Sequence, residues 1–361
     1  MNKNYYAIIM AGGIGSRFWP ISRTSHPKQF IDILGTGKTL IQNTYDRFLK
    51  VCPKENIYVV TNENYTGLVK EQLPDMADNQ ILTEPVMRNT APCVAYGCFK
   101  IESLNPDAVI VVAPSDHLIL DEAAFVSTIE KSLEAASAHD CLITLGIKPS
   151  RPDTGYGYIQ YTDHSLKNDF YKVKTFTEKP TLEIAKTFLQ SGDFLWNAGI
   201  FVWSAKAIVK AFGQYLPEMN EIFVDARAVY NTEDEKKHIH NAYQQCTNIS
   251  IDYGIMEKAD NVYVLPSEFG WSDLGTWASI YDLADKDYVG NAVIPSEKVI
   301  MYDSSNCMVN VPGEKLVILQ GLHDYIVVES NNSLLICPRD QEQNIKQVVA
   351  DVKHKFGTKY I

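Results

Sequence analysis

The densest chemistry in the chain lies near its amino terminus. Ala11 to Pro20 reads A-G-G-I-G-S-R-F-W-P, with Gly12, Gly13 and Gly15 set in four positions and followed by Ser16 and Arg17. Glycines so spaced let backbone N–H groups approach a triphosphate closely, and the arginine adds a fixed cation with a planar fork of donors. A tight strand-to-helix turn without a ligand explains the same glycines. Two commoner phosphate loops are excluded. A dinucleotide fingerprint beginning at Gly13 would need glycine or alanine at position 18, where Phe18 stands. Gly35 to Thr39 imitates a P-loop, but Asp32 occupies the position that loop gives to its first glycine. Lys28, behind the stiffening Pro27, could reach the same phosphates from the next loop, or stand as a solvated surface lysine.

The elements that must position these residues follow from hydrophobic periodicity. Tyr6 to Met10 is a short apolar run ending in glycines, which predicts a buried strand entering a tight loop. Leu40, Ile41, Thr44, Tyr45, Phe48 and Leu49 recur at helical spacing. Ile57 to Val60 and Ala108 to Ala113 predict two more strands, and Ala91 to Leu104 a helix. Alternation at these lengths implies parallel pairing, with ligands beyond the carboxyl ends of the strands. Pro114, Ser115, Asp116 and His117 stand at such an end. From about Gly290 short apolar pieces separated by turn residues predict a β-rich region, then a helix from about Asp340 to Phe356.

Bulk properties narrow the function. A net charge of -11 argues against a general nucleic-acid binder, which needs a basic stripe. It leaves room for a phosphorylated small substrate, because a few cations in one cleft dominate the local field. Seven cysteines, scattered and never in a C-x-x-C pair, read as reduced thiols. With no apolar stretch long enough for a signal peptide or a membrane span, the expected location is cytoplasmic. His238 and His240 sit in a charged stretch that reads as a solvated helix, and Phe201, Trp203 and Met256 read as core.

The glycine loop resembles the G-G-x-G-x-R signature of sugar-nucleotide pyrophosphorylases. Together with Trp19-Pro20, Pro27 to Gln29 and Arg88 to Pro92, it is similar to the bacterial mannose-1-phosphate guanylyltransferases. Further matches follow in the family's order. They are Pro114 to His117, Gly155 to Ile159, Phe176 to Pro180, Trp196 to Phe201, Ile251 to Glu257 and Gly270 to Trp277. The resemblance implies an α/β fold, a Rossmann-like nucleotidyltransferase sheet covered by helices, with a small C-terminal β-helix-like domain. It places the catalytic domain at 1–285 and the small domain at 286–361. Many relatives continue into an isomerase domain that this sequence does not contain, so no isomerase activity is expected.

The reaction so implied joins GTP and mannose 1-phosphate to give GDP-mannose and pyrophosphate. Its nucleophile is already an anion, so the protein must chiefly bring anions together and neutralise charge. Two unit charges about 4 Å apart repel by about 4 kcal/mol at an effective dielectric near 20, so cations are indispensable. The resemblance makes Arg17 and Lys28 catalytic, and implies that their alanine variants lose turnover while barely changing thermal stability. Asp116 and Asp273 match the family's metal-binding aspartates, holding Mg2+ with Mn2+ as the alternative, although turn or cap roles explain each singly. Ala11, Gly12, Gly13, Gly15, Ser16, Pro114 and Ser115 are assigned to the nucleotide. Glu84, Arg88, Asn89 and Thr90 lie where the family reads the base, and a capped helix start explains part of that segment too. Gly155, Tyr156, Glu178, Lys179, Asn197 and Gly199 are assigned to the sugar phosphate; a solvent-exposed charged pair is the plain alternative for Glu178 and Lys179. A homodimer is expected, with no nucleic-acid or membrane partner. The rivals are the same reaction on another nucleotide or sugar, a non-catalytic sugar-nucleotide sensor, and a glycosyltransferase, which would show an Asp-x-Asp motif at the strand end where Pro114 to His117 stand.

Overall fold

The computed structural model describes residues 1–166, 169–294, 298–313 and 315–361. By compactness the chain forms two units. The first comprises Met1–Gly12, Thr44–Ser115 and Ile119–Trp271; the second gathers Gly13–Asn43, Asp116–Leu118 and Ser272–Ile361.

The first unit is built on a nine-stranded sheet. Its strands are β1 (Tyr5–Ala11), β2 (Ile57–Asn62), β3 (Ile81–Glu84), β4 (Val109–Pro114), β6 (Leu142–Ile147), β7 (Gly157–Ser165), β8 (Tyr171–Glu178), β9 (Phe194–Ser204) and β10 (Val262–Ser267), with β5 (Leu118–Ile119) outside it. The order is β3-β2-β1-β4-β9-β6-β10-β8-β7. The first four strands pair in parallel, as the alternation of strands and helices predicts. Beyond β4 the sheet is mixed: β9 runs antiparallel to both β4 and β6, and β7 and β8 form an antiparallel pair. The parallel expectation, made for β1, β2 and β4, is met, and in the mixed half β6 and β10 are parallel as well. Strands joined without a crossover helix, as β7 and β8 are, pair antiparallel.

The helix Thr90–Leu104 buries its side against the sheet through residues such as Val94, Phe99 and Ile101. Phe99 meets Phe212 and Phe223 with ring centroids 5.7 and 6.0 Å apart. Phe201, Trp203 and Met256 lie in this core as expected, each such buried side chain contributing about 1.5–3 kcal/mol. Glu235 differs from its sequence reading as part of a solvated helix. It is buried, and its carboxylate accepts from Lys100 Nζ at 2.6 and 2.7 Å, from the Tyr96 hydroxyl at 2.6 Å and from the Asn231 N–H at 2.6 Å. The ion pair is thus fully hydrogen-bonded, the condition under which a buried charge is tolerated.

After β11 (Trp271–Ser272), whose two residues fall one in each unit, the second unit contains short strands: β12 (Ala292–Val293), β13 (Val299–Tyr302), β14 (Met308–Asn310), β15 (Val317–Gln320), β16 (Tyr325–Ser330) and β17 (Ser333–Pro338). β12, β14 and β16 pair in parallel, as do β13 and β15, while β17 folds back antiparallel on β16. Parallel rungs recurring along the chain are the β-helix-like arrangement that the resemblance implies. Cys307, Val309, Val311 and Val327 fill its interior. A second cluster joins Phe18, Trp19, Ile33 and Leu40 of the amino-terminal loop to Leu274, Trp277, Met308 and Ile345. The 3-10 turn Arg339–Asn344 and the helix Ile345–Phe356 close the chain.

Candidate functional site

In the second unit the loop after Gly12 folds onto Lys28. Gly15 has φ +70°, and a Cβ there would lie 2.5 Å from Lys28 Cβ, so only glycine permits this approach. The Ile14 carbonyl accepts from the Lys28 N–H at 3.2 Å and from the Ser22 hydroxyl, which fixes the loop from two sides. Pro27 leads into the 3-10 turn Lys28–Phe30. Lys28 is only 3% exposed, which rules out the solvated surface lysine. Its ammonium donates to Asp116 Oδ2 at 3.0 Å and to the Asp273 carbonyl at 2.7 Å, and lies 5.4 Å from the Phe18 ring centroid. One cation thus joins segments 88 and 245 positions away in sequence.

Burial works to raise the Asp116 carboxyl, but Lys28 and His117 outweigh it and hold the group below its ordinary value. Asp273 Oδ1 accepts from the Gly275 N–H at 2.9 Å, so its turn role is real as well. Arg17 sits in the 3-10 turn Ser16–Phe18. Its Nε is buried and has no hydrogen-bond partner among the described residues. At Gly13 a Cβ would meet nothing within 4 Å among those residues, so protein packing does not demand glycine there. The unmet Arg17 donor suits an arriving acceptor, since a buried unsatisfied donor costs about 1–3 kcal/mol.

In the first unit the carboxyl ends of β1, β3 and β4 bring Ala11, Gly12, Glu84, Pro114 and Ser115 to one end of the sheet. The Ser115 N–H donates to the Met10 carbonyl at 3.0 Å, and its own carbonyl accepts from Thr44 Oγ1 at 3.2 Å. A Cβ on Gly12 would stand 3.4 Å from Glu84 Oε2. Glu84 is buried and accepts from the Tyr243 hydroxyl at 3.0 Å. Burial pushes its carboxyl up to about 7, against the smaller opposing effect of Tyr243. Asn89 caps the helix Thr90–Leu104 by accepting from the Thr90 N–H at 2.9 Å, Thr90 Oγ1 accepts from the Ile251 N–H at 2.9 Å, and Arg88 Nε donates to the Tyr243 carbonyl at 3.3 Å. The capping reading of this segment is therefore correct, and Asn89 and Thr90 spend hydrogen bonds on structure.

A third group lies around β7, β8 and β9. Gly157 pairs with Glu178 across β7 and β8, and Tyr158 with Trp196 across β7 and β9. The Gly155 N–H donates to Asp153 Oδ1 at 2.8 Å, and Tyr156 packs edge-on against Trp196 and Trp271 at 4.9 and 5.2 Å. The Glu178 side chain is 12% exposed and pairs with the Lys179 ammonium, while the Lys179 side chain is 62% exposed. Asn197 is an internal brace: its Oδ1 accepts from Thr144 Oγ1 at 2.9 Å and from the Gly199 N–H at 3.1 Å, and its Nδ2 donates to Asp252 Oδ1 at 2.9 Å. Sequence reasoning passed over Asp252 and Tyr243. Asp252 lies inside the Ile251 to Glu257 motif, the one signal that could have flagged it. Burial, then the Glu178 charge, pushes its carboxyl up to about 6.

Among the described residues no cluster of three or more histidine, cysteine or acidic side chains could hold a metal by itself. Asp116 and Asp273 nevertheless suit a hard divalent ion of the magnesium kind, which takes one or two carboxylates and completes its shell with phosphate oxygens and water. Asp116 is one-third exposed and so open to such an ion.

Residues 6–289 match the nucleotidyl transferase family model, and residues 297–352 match a mannose-phosphate isomerase/GMP-like β-helix domain. A mannose-1-phosphate guanylyltransferase of Salmonella montevideo is 36% identical over 354 residues, covering 96% of this chain and 73% of the relative. An alginate biosynthesis protein of Pseudomonas aeruginosa is 36% identical, covering 96% of this chain and 71% of its own length. The crystal structure of a mannose-1-phosphate geranyltransferase, so described, from Thermus thermophilus superposes with a TM-score of 0.86 at 29% identity, covering 97% of this chain and 99% of that one. The chain belongs to the nucleotidyl transferase family, in the branch that contains the mannose-1-phosphate guanylyltransferases.

Proposed function

We propose that the protein transfers GMP from GTP to α-D-mannose 1-phosphate. A phosphate oxygen of the sugar phosphate attacks the α-phosphorus, the bond to the β-phosphate oxygen breaks, and pyrophosphate leaves as GDP-mannose forms. The observation that carries this reading is the Lys28 ammonium shared between Asp116 and the Asp273 loop, in a chain whose relatives are named for this reaction.

Arg17 and Lys28 are assigned to the phosphate charge that spreads over the leaving pyrophosphate. Gly13, Gly15 and Ser16 supply backbone that a triphosphate can approach, with Ala11, Gly12, Pro114 and Ser115 on the nucleotide as well. Glu84, at about 7, can present an uncharged hydrogen-bonding edge to a base, with Arg88, Asn89 and Thr90 bounding it. Glu178 accepts from sugar hydroxyls, Lys179 faces the sugar phosphate, and Gly155, Tyr156, Asn197 and Gly199 frame the hexose.

Nucleotidyltransferases of this family generally use a divalent metal. We assign Asp116 and Asp273 to Mg2+, with Mn2+ as the alternative; when bound, the ion supplies positive charge to the phosphate oxygens. The chain's own part is to hold Asp116 ionised through Lys28, so that the carboxylate is ready at neutral pH. The domain division at 1–285 and 286–361 and a homodimeric state belong to the same reading. Among the described residues no helix is long and apolar enough to cross a membrane, and a cytoplasmic enzyme with small-molecule substrates and no nucleic-acid or membrane partner fits the net charge of -11.

A panel of nucleotides and sugar 1-phosphates, scored by pyrophosphate release, tests the reading. GTP with mannose 1-phosphate is expected to give the highest kcat/KM. A higher value with UTP, dTTP or another hexose phosphate would replace it. Tight GDP-mannose binding with no pyrophosphate release from any pair would favour the sensor.

A further inference from the structure

Two strands and one helical turn of the first unit meet at the Asn197 amide. Asn197 lies on β9 and is half-buried. Its Oδ1 accepts from the Gly199 N–H at 3.1 Å, and a backbone N–H can only donate. Its Nδ2 donates to Oδ1 of Asp252, in the helical turn Asp252–Met256, at 2.9 Å, and an ionised carboxylate can only accept. These two partners fix which way round the amide sits. The hydroxyl of Thr144, fully buried on β6, adds a second bond to Asn197 Oδ1 at 2.9 Å. Both acceptor positions of the amide oxygen are then taken, and one N–H is left without a partner among the described residues. Glu178 stands beside it. A Cβ on Gly157 would lie 2.5 Å from Glu178 Oε2 and 3.4 Å from Asn197 Cβ, so the bare backbone of β7 leaves carboxylate and amide next to one another. The Lys179 ammonium takes the other carboxylate oxygen, Oε1.

We propose that Asp252 is a positioning residue for sugar recognition, holding the Asn197 amide so that its nitrogen, and not its oxygen, is offered to the hexose. The inference rests on the roles proposed above for Glu178 and Asn197. An amide free to turn over presents a ligand with either a donor or an acceptor, and so tolerates hydroxyl groups in either role. A fixed amide presents the donor alone. The neighbouring Glu178 carboxylate presents acceptors alone. One sugar hydroxyl satisfies both when it donates to Glu178 and accepts from Asn197. A C–H in its place leaves both groups unmet, which is how a site built to hydrogen-bond a hydroxyl rejects the analogue lacking it. Asp252 touches no substrate atom in this scheme; it acts through Asn197, 55 positions away in sequence.

The test compares the full-length wild type with Asn197→Ala, Asp252→Ala, Asp252→Asn and the Asn197→Ala/Asp252→Ala double variant, with a thermal melt for each. Pyrophosphate release is measured with GTP and either mannose 1-phosphate or its 2-, 3-, 4- and 6-deoxy analogues. The wild type is expected to reject one analogue above the rest, by about a hundredfold in kcat/KM. Asn197→Ala and Asp252→Ala should each reduce that one ratio about tenfold, with the double variant within about twofold of Asn197→Ala and the KM for GTP within about twofold of wild type throughout. Asp252→Asn, whose carbonyl can still accept from Asn197, should keep more of the discrimination than Asp252→Ala. Should Asp252→Ala fail to fold, Asp252→Ser, too short to reach Asn197, takes its place in the cycle. A folded Asp252→Ala or Asp252→Ser that discriminates as the wild type does, losses that multiply in the double variant, or a loss shared equally by GTP and every analogue would overturn the inference while leaving Asn197 in its role. Unchanged discrimination in Asn197→Ala would remove Asn197 from the sugar, and the inference with it. A wild type that releases no pyrophosphate with mannose 1-phosphate would overturn the proposed reaction itself.

Discussion

Three carboxyl groups of the candidate site, Asp116 in the second unit and Glu84 and Asp252 in the first, are treated in opposite ways. In the second unit Asp116 has Lys28 at 3.0 Å and is held below its ordinary value in spite of burial. In the first unit Glu84 and Asp252 accept from neutral donors, Tyr243 and Asn197; burial lifts Glu84 to about 7, and burial with the Glu178 charge lifts Asp252 to about 6. The difference teaches what each region is suited to bind. A carboxylate kept ionised beside a fixed cation belongs with phosphates and a metal ion. Carboxyls poised to gain or lose a proton belong with uncharged edges, such as a base or sugar hydroxyls. The lysines repeat the contrast: Lys28 is buried and fixed, whereas the Lys179 side chain is 62% exposed beside Glu178.

The sharpest way to break the contrast is Lys28→Ala. Removing a preorganised cation should lower kcat by about a hundredfold, on the order of 3 kcal/mol, measured by pyrophosphate release. Because Lys28 is buried against Asp116, the variant should also lose about 1–3 kcal/mol of stability in a denaturant melt. That differs from the sequence expectation of unchanged stability, which treated the lysine as free of structural duty. Wild-type turnover would remove Lys28 from the chemistry.

Lys179→Ala should act on capture instead. The KM for mannose 1-phosphate is expected to rise about tenfold, with that for GTP and kcat little changed, the pattern of lost ground-state binding. Equal effects on both substrates would erase the distinction between the two lysines.

Glu84→Gln gives the smallest effect and addresses the carboxyls. Glu84 has a folded-state value raised to about 7, above its unfolded value, so its stabilising protonated form is fully present below the unfolded value and lost as pH rises through about 7. The wild type should therefore lose stability between pH 5 and 8 relative to Glu84→Gln, whose amide does not titrate. Thermal melts at the two pH values should show the gap widen by a few degrees at pH 8. Parallel curves would show that Glu84 is not a strained buried acid.

Much of this was legible in the sequence where local rules suffice. The strand before Gly12, the helix from Thr90 and the short rungs after Gly290 announce themselves by periodicity and turn residues. A capped start to that helix follows from residue type, which allows Asn89 or Thr90, and the structure selects Asn89. What could not be read is long-range. Nothing in the spacing of Lys28, Asp116 and Asp273 says that one ammonium will touch two of those segments, because only the fold brings them together. The mixed half of the sheet was missed for the same reason, since β9 inserts between β4 and β6 from a distant part of the chain. Glu235 was misread because its charged neighbours hide a buried partner, Lys100, 135 positions away.

The most direct test of the paired-charge centre is pyrophosphate release from GTP and mannose 1-phosphate while magnesium is titrated, comparing the wild type with Asp116→Asn and Asp273→Asn. The wild type should be inactive without the ion and saturate with it, and each variant should lose about a hundredfold in kcat and need more magnesium for what remains. Full activity without a divalent ion, or aspartate variants with the wild type's magnesium response, would contradict the assignment of that centre to phosphate transfer.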